Sequence, residues 1–196
     1  MVKNAKEYWS NNQNSTEFHA PNSHLFRILS YASISIRNAN VLEIGCVDNQ
    51  FSDLLEFKRR GAKVHGIDLQ NPRQPFHDEF EICDIGSQKI PFNKTFDLVY
   101  LIDVIYYLSE TEIKFFINEI KKSLETNGHI VIQLIEKDHF IGELENPISY
   151  ELSSYIKTHL LKNNFTEKFV YELNHTIKNK NHFGIRETKY LVYQNG

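Results

Sequence analysis

Apolar residues recur at two periods along this chain, and the alternation between them lays out the elements. From Asn22 to Ile36, Leu25, Phe26, Ile28, Leu29 and Ala32 fall on one helical stripe, with Asn22 or Ser23 placed to cap its start. The run NVLEIGC, Asn40 to Cys46, reads as a strand, and Phe51, Leu54 and Leu55 mark one face of a helix that stops before Gly61. KVHGIDL gives a second strand. The link QNPRQPFHDE carries two prolines and is expected as loop, after which FEICDI and FDLVYLI read as strands three and four with at most a short helix between them.

Ser109 and Glu112 form an S-x-x-E capping box ahead of Ile113, Phe116, Ile117, Ile120 and Leu124, which recur at helical spacing. Asn127 and Gly128 are expected to end this helix, and HIVIQLI follows as a fifth strand, apolar at nearly every position as a strand buried on both faces must be. Leu152, Tyr155, Ile156 and Leu160 build another helix. The last segment changes character. EKFVYELNHTI and ETKYLVYQN are β-rich, with only KNKNHFGIR between them, and are expected to pair as an antiparallel hairpin. Strand–helix alternation closed by a hairpin predicts a doubly wound α/β sheet with an antiparallel edge.

The chain has 196 residues, 41% of them hydrophobic, enough for one core, so residues 1–196 are expected to form a single domain. Residues 1–21 form an N-terminal arm and 22–196 the α/β core. Tyr8, Trp9 and Phe18 make the arm too aromatic for a mere tail and suit it to close over a ligand or to pack on the first helix. The net charge of −3 offers no basic field for nucleic acid or anionic membrane and shifts weight to small-molecule partners. Two cysteines, Cys46 and Cys83, are too few and too separate for a disulfide framework or a paired-thiol metal site. With no signal-like start and no apolar run of membrane-spanning length, the expectation is a soluble cytoplasmic protein.

From VLEIGC through GAKVHGIDL, ICDI, FDLVYLIDVIYYL and LETNGHIVI to the closing hairpin, these blocks in their order and spacing resemble the class I S-adenosylmethionine-dependent methyltransferases. The resemblance implies a Rossmann-like seven-stranded sheet in which the last strand inserts antiparallel between strands five and six. It implies S-adenosyl-L-methionine as the cofactor. By position, Glu43 and Gly45, with Cys46 beside them, match the first motif, where the backbone passes under the methionine part. Asp68 matches the acid that accepts hydrogen bonds from the ribose hydroxyls, with Leu69 against the adenine. Asp84 and Ile85 match the pair that binds the adenine amino group and covers its ring, and Asp103 lies where cofactor and acceptor pockets meet. Ligands in open α/β sheets bind at the carboxyl ends of strands, and Glu43, Asp68, Asp84 and Asp103 each fall at or near such an end. Taken singly, each is as well explained as a solvated loop acid or a helix cap.

One departure stands in the first motif: Val47 and Asn49 stand where a glycine-rich loop would continue through two further glycines. A pyrophosphate needs the close backbone approach that the second glycine permits, so the loss weighs more against a dinucleotide than against a cofactor without phosphate. Asp48 and Asn49 tolerate left-handed backbone and can cap the helix that begins near Phe51.

After strand four, LIDVIYY lacks the Asn/Asp-Pro-Pro-Tyr of base-directed amino methyltransferases, and no Pro-Cys nucleophile appears. A metal-assisted branch of the family carries Glu-x-x-Glu-His where this chain has Asp103, Tyr106 and Tyr107, so no metal is expected. His19, His24, His77, His139 and His182 read as ordinary surface or capping histidines. Of these, His139 also follows strand five and is the candidate general base, with Asp103 to orient it or hold substrate. EKDHFIGELENPISY is the expected lid. The function expected is methylation of a small polar metabolite, at the oxygen of a sugar or related biosynthetic intermediate. The alternative is a noncatalytic module of the same fold that binds S-adenosylmethionine or S-adenosylhomocysteine.

Overall fold

The computed structural model describes residues 23–46, 51–71, 76–102, 104–138, 151–179 and 182–196. Its helices are α1 (Ser23–Tyr31), α2 (Phe51–Arg59), α3 (Glu110–Ser123) and α4 (Glu151–Lys162). Its strands are β1 (Asn40–Ile44), β2 (Lys63–Asp68), β3 (Glu79–Ile82), β4 (Phe96–Ile102), β5 (Leu124–Asp138), β6 (Phe165–Asn179) and β7 (His182–Asn195). They form one seven-stranded sheet in the order β3-β2-β1-β4-β5-β7-β6. The pairs from β3 to β5 are parallel, whereas β7 runs antiparallel to both β5 and β6, which is the insertion the resemblance implied.

Alternation along the parallel strands divides the core in two. Leu42, Ile44, Val99, Leu101, Ile130 and Ile132 pack with Phe116, Ile117 and Ile120 of α3 and Ile156 and Leu160 of α4. Val41, Leu98, Tyr100, Val131 and Val192 pack with Leu25 and Ile28 of α1 and Leu54 and Phe57 of α2. Each inner strand is therefore covered on both faces, which is why its sequence is apolar at successive positions. The site-bearing strands β1, β2 and β4 lie where the chain reverses its direction of progress across the sheet.

Three boundaries differ from expectation, each for a local reason. Helix α1 stops at Tyr31 rather than Ile36 because Ser33 turns left-handed at φ 56°. Ile34 N then donates to Leu29 O at 2.8 Å and Ser33 N to Ser30 O at 3.1 Å, the paired bonds of a Schellman cap. Helix α3 begins with the expected capping box but ends at Ser123, so Asn127 and Gly128 do not terminate it. They make an irregularity at the start of β5, where pairing with β4 shifts register between Phe96 and Leu98 and Asn127 takes φ 67°. A side chain at Gly128 would meet the Phe96 carbonyl oxygen at 2.9 Å. Finally, the β6–β7 ladder continues through the expected link to Asn179 and His182. Past Arg186, where β5 pairing ends, β6 and β7 continue as a two-stranded ribbon.

Candidate cofactor and active site

The carboxyl end of β1 builds the first part of the site. Gly45 N donates to Ile67 O at 2.9 Å, holding the turn against β2. Its φ of 74° suits glycine, and a Cβ there would meet Val104 Cγ2 at 2.2 Å. Both constraints demand glycine here: the backbone is left-handed, and the Val104 side chain fills the place a Cβ would take. At the end of β2, Asp68 is half-buried and its Oδ1 accepts from Gln70 N at 3.1 Å, with Leu69 half-buried beside it. Beyond β3, Asp84 Oδ1 accepts from Gly86 N at 3.1 Å and Oδ2 from Ser87 Oγ at 2.8 Å. Ile85 is buried in the α3 side of the core, with Cys83 and Ile105. Thus Glu43, Gly45, Asp68, Leu69 and Asp84 sit at neighbouring strand ends, with Ile85 buried beside them.

Under the β1 turn lies a group that sequence reasoning did not assemble. Glu43 is 2% exposed, and its Oε2 lies 2.7 Å from Nε2 of His77, whose side chain is 4% exposed. His77, expected as a surface or capping histidine, is therefore a buried partner of the first-motif acid. Its ring reaches Glu43 across β2 at Gly66, which stands opposite Glu43 in the parallel register. A Cβ on Gly66 would lie 2.6 Å from the imidazole. The signal was present in the sequence as a lone glycine inside a strand, a mark of close approach, although nothing local tells which side chain approaches.

Tyr100, opposite Glu43 on the β4 side, is fully buried, and Cys46 is nearly so. Burial raises the Glu43 carboxyl above its ordinary range, while the His77 hydrogen bond and charge pull it back. Burial first, and then Glu43 and Asp68, push the Cys46 thiol well up. The Tyr100 phenol is raised by burial and then by Glu43 and Asp53. Glu43 Oε1, His77 Nδ1 and the Tyr100 hydroxyl make no well-formed hydrogen bond among the described residues, although the Tyr100 phenol lies close enough to Glu43 to favour its charged form.

Asp103, His139, the loop residues Val47, Asp48 and Asn49, and the arm residues Tyr8, Trp9 and Phe18 lie outside the described residues, as does most of the expected lid. Tyr107 closes a single 3-10 turn, Ile105–Tyr107, directly after β4.

A methyltransferase domain family matches residues 18–176. The chain therefore belongs to the methyltransferase domain family, and its fold places it among the class I S-adenosylmethionine-dependent methyltransferases, with S-adenosylmethionine as cofactor. No curated protein sequence matches the chain. Among solved structures it is similar to the N-methyltransferase NodS from Bradyrhizobium japonicum WM9, at 18% identity over 88% of this chain and 94% of that one, with a TM-score of 0.58. It is similar also to a Burkholderia thailandensis 1,6-didemethyltoxoflavin-N1-methyltransferase holding its substrate and S-adenosylhomocysteine, at 15% identity, 95% and 83% coverage and a TM-score of 0.66. TehB from Haemophilus influenzae aligns at 17% identity over 97% of this chain and 67% of that one, with a TM-score of 0.64. Asp68 and Asp84, at the end of β2 and just beyond β3, present carboxylate acceptors of the kind that a cofactor with ribose and adenine donors requires.

Proposed function

We propose that this chain methylates an oxygen of a small polar acceptor, a sugar or related biosynthetic intermediate, at the carboxyl edge of β1, β2 and β4. The observation that carries the reading is the run of Glu43, Asp68 and Asp84 at successive strand ends around the Gly45 turn. Bound S-adenosylmethionine supplies an electrophilic methyl group, and alignment contributes much of the rate of such a displacement. Asp68 accepts the ribose hydroxyls, Asp84 accepts from the adenine amino group, and Leu69 packs on the ring. His139 takes the acceptor's proton and Asp103 orients it or holds the substrate. Oxygen is favoured because LIDVIYY lacks the Asn/Asp-Pro-Pro-Tyr of base-directed amino methyltransferases.

Calorimetry with S-adenosylhomocysteine tests the cofactor half: wild type binds, and Asp68→Ala binds about tenfold or more weakly, since a carboxylate accepting two hydroxyls is costly to replace. Labelled methyl transfer to a panel of sugars and amines tests the other half. Transfer to hydroxyl acceptors without added magnesium is expected, and transfer to amines alone overturns the choice of oxygen. With the true acceptor, His139→Asn should lower the rate about a hundredfold and remove the acidic limb of the pH–rate profile. An unchanged profile rejects His139 as the base.

A further inference from the structure

The buried group under the β1 turn has the composition of a metal site. Ligand atoms of Glu43, Cys46 and His77 all lie within 4.8 Å of one another. A carboxylate oxygen, a thiolate sulfur and an imidazole nitrogen bind zinc at about 2.0–2.3 Å, which sets ligand atoms about 3.2–3.8 Å apart in a tetrahedron. The Glu43–His77 contact, now a 2.7 Å hydrogen bond, opens by about half an ångström when an ion replaces its proton, and a shift of the thiol of about an ångström completes the triangle. The present contacts do not hold that thiol firmly: Cys46 Sγ faces Ile67 O at 3.6 Å.

Two further features point to a ligand. Glu43 is 2% exposed, and its Oε1 makes no well-formed hydrogen bond, although the Tyr100 phenol lies near enough to pull the carboxyl down. A buried carboxylate oxygen so poorly satisfied is a costly arrangement that calls for an explanation such as a bound ion. The backbone is also arranged to admit the third ligand, since Gly66 gives up a side chain to let the His77 ring lie across β2.

We propose that Glu43, Cys46 and His77 bind one zinc-like divalent transition-metal ion that ties the turn after β1 to the segment entering β3. A carboxylate, a thiolate and a neutral imidazole bring two negative charges to a doubly positive ion, so the buried centre is neutral overall. On binding, the Cys46 S–H proton leaves to solvent and a metal–sulfur bond replaces it; no oxidation or reduction occurs. Nitrogen, sulfur and oxygen together select a borderline ion of the zinc type and disfavour magnesium or calcium, which take oxygen alone. The ion clamps the turn from below the sheet edge, and it plays no part at the methyl acceptor. The proposal is independent of the choice of acceptor.

The experiment is titration of the purified full chain with Co2+ in the absence of cofactor. The expected result is one equivalent bound, with a thiolate-to-cobalt charge-transfer band that Zn2+ displaces and Mg2+ does not. The chain has two cysteines, so a Cys83→Ser variant leaves Cys46 as the sole source of thiolate, and it must keep the band. Cys46→Ala and His77→Gln should each abolish the band and weaken Zn2+ binding about a hundredfold or more. If those variants fail to fold by circular dichroism, the Cys83→Ser titration decides alone. No band in that variant, or a band that persists in folded Cys46→Ala, overturns the proposal. Because the readout needs no cofactor, a chain that fails to bind S-adenosylhomocysteine yet shows the band contradicts the proposed function and leaves the metal site standing.

Discussion

Gly45 and Gly66 show how much of the site depends on missing side chains. Gly45 combines φ 74° with the Val104 methyl group 2.2 Å from a would-be Cβ, so Gly45→Ala meets both a conformational and a steric cost. Denaturant titration should show Gly45→Ala less stable by about 2–4 kcal/mol. Gly66→Ala has no φ penalty, and its whole effect runs through the His77 ring. The variant should expel His77 and leave Glu43 buried without its partner, a loss of about 2–4 kcal/mol that His77→Ala combined with Gly66→Ala does not double. Double-mutant denaturation checks this directly; strictly additive losses would refute the coupling. The sequence made Gly45 legible because its motif is local. The Glu43–His77 contact was not legible, since it spans 34 residues and is specified by the register of β1 against β2.

Helix ends divide into those written in the sequence and those written by packing. The α3 start was legible because the reciprocal bonds of its capping box, Ser109 Oγ with Glu112 N and Ser109 N with the Glu112 carboxylate, involve residues three apart. Ser109→Ala should cost about 1 kcal/mol. The α1 end was not legible, because a serine stands where the Schellman cap favours glycine. Ser33→Gly relieves the left-handed strain at φ 56° and should stabilise the chain by about 1 kcal/mol, raising Tm by about 2–4 °C. A lowered Tm would mean that the Ser33 side chain contributes more than its backbone costs. At the other end of α3, Asn127 and Gly128 carry the residue types of a helix stop but serve a strand irregularity. Both uses require left-handed or crowded backbone, and composition alone does not separate them.

Across the whole molecule, the alternation of elements was legible because every inner strand is apolar on two faces, while the order of strands beyond β5 came from resemblance and not from periodicity. Charge ties that outer part together. Glu167 on β6 accepts from Lys157 of α4 at 2.7 Å and from the Tyr193 hydroxyl of β7 at 2.8 Å. The Lys157 bond first, and then Tyr193, hold its carboxyl below the ordinary value of 4.5. A depressed carboxyl stabilises the fold above its unfolded pKa, so this contribution is present above about pH 4.5 and is lost as pH falls through the lower folded value. The group is largely solvated, which limits the effect to about 1 kcal/mol or less and makes it sensitive to salt. Thermal melts from pH 6 to pH 3 should fall less steeply for Glu167→Gln than for wild type; parallel curves would show the pair to be inert.

The insertion of β7 between β5 and β6 has a consequence for how the chain is made. During synthesis, the outer flank of β5 has no partner until residues 182–195 exist, and β6 has none on either side. The nascent chain therefore carries an open, strongly apolar strand margin until residues 182–195 have been added, the condition under which stalled or truncated chains associate with one another. Deleting these residues removes an interior strand and not a fringe, so a chain stopped after β6 should collect in the insoluble fraction rather than persist as a weakened enzyme.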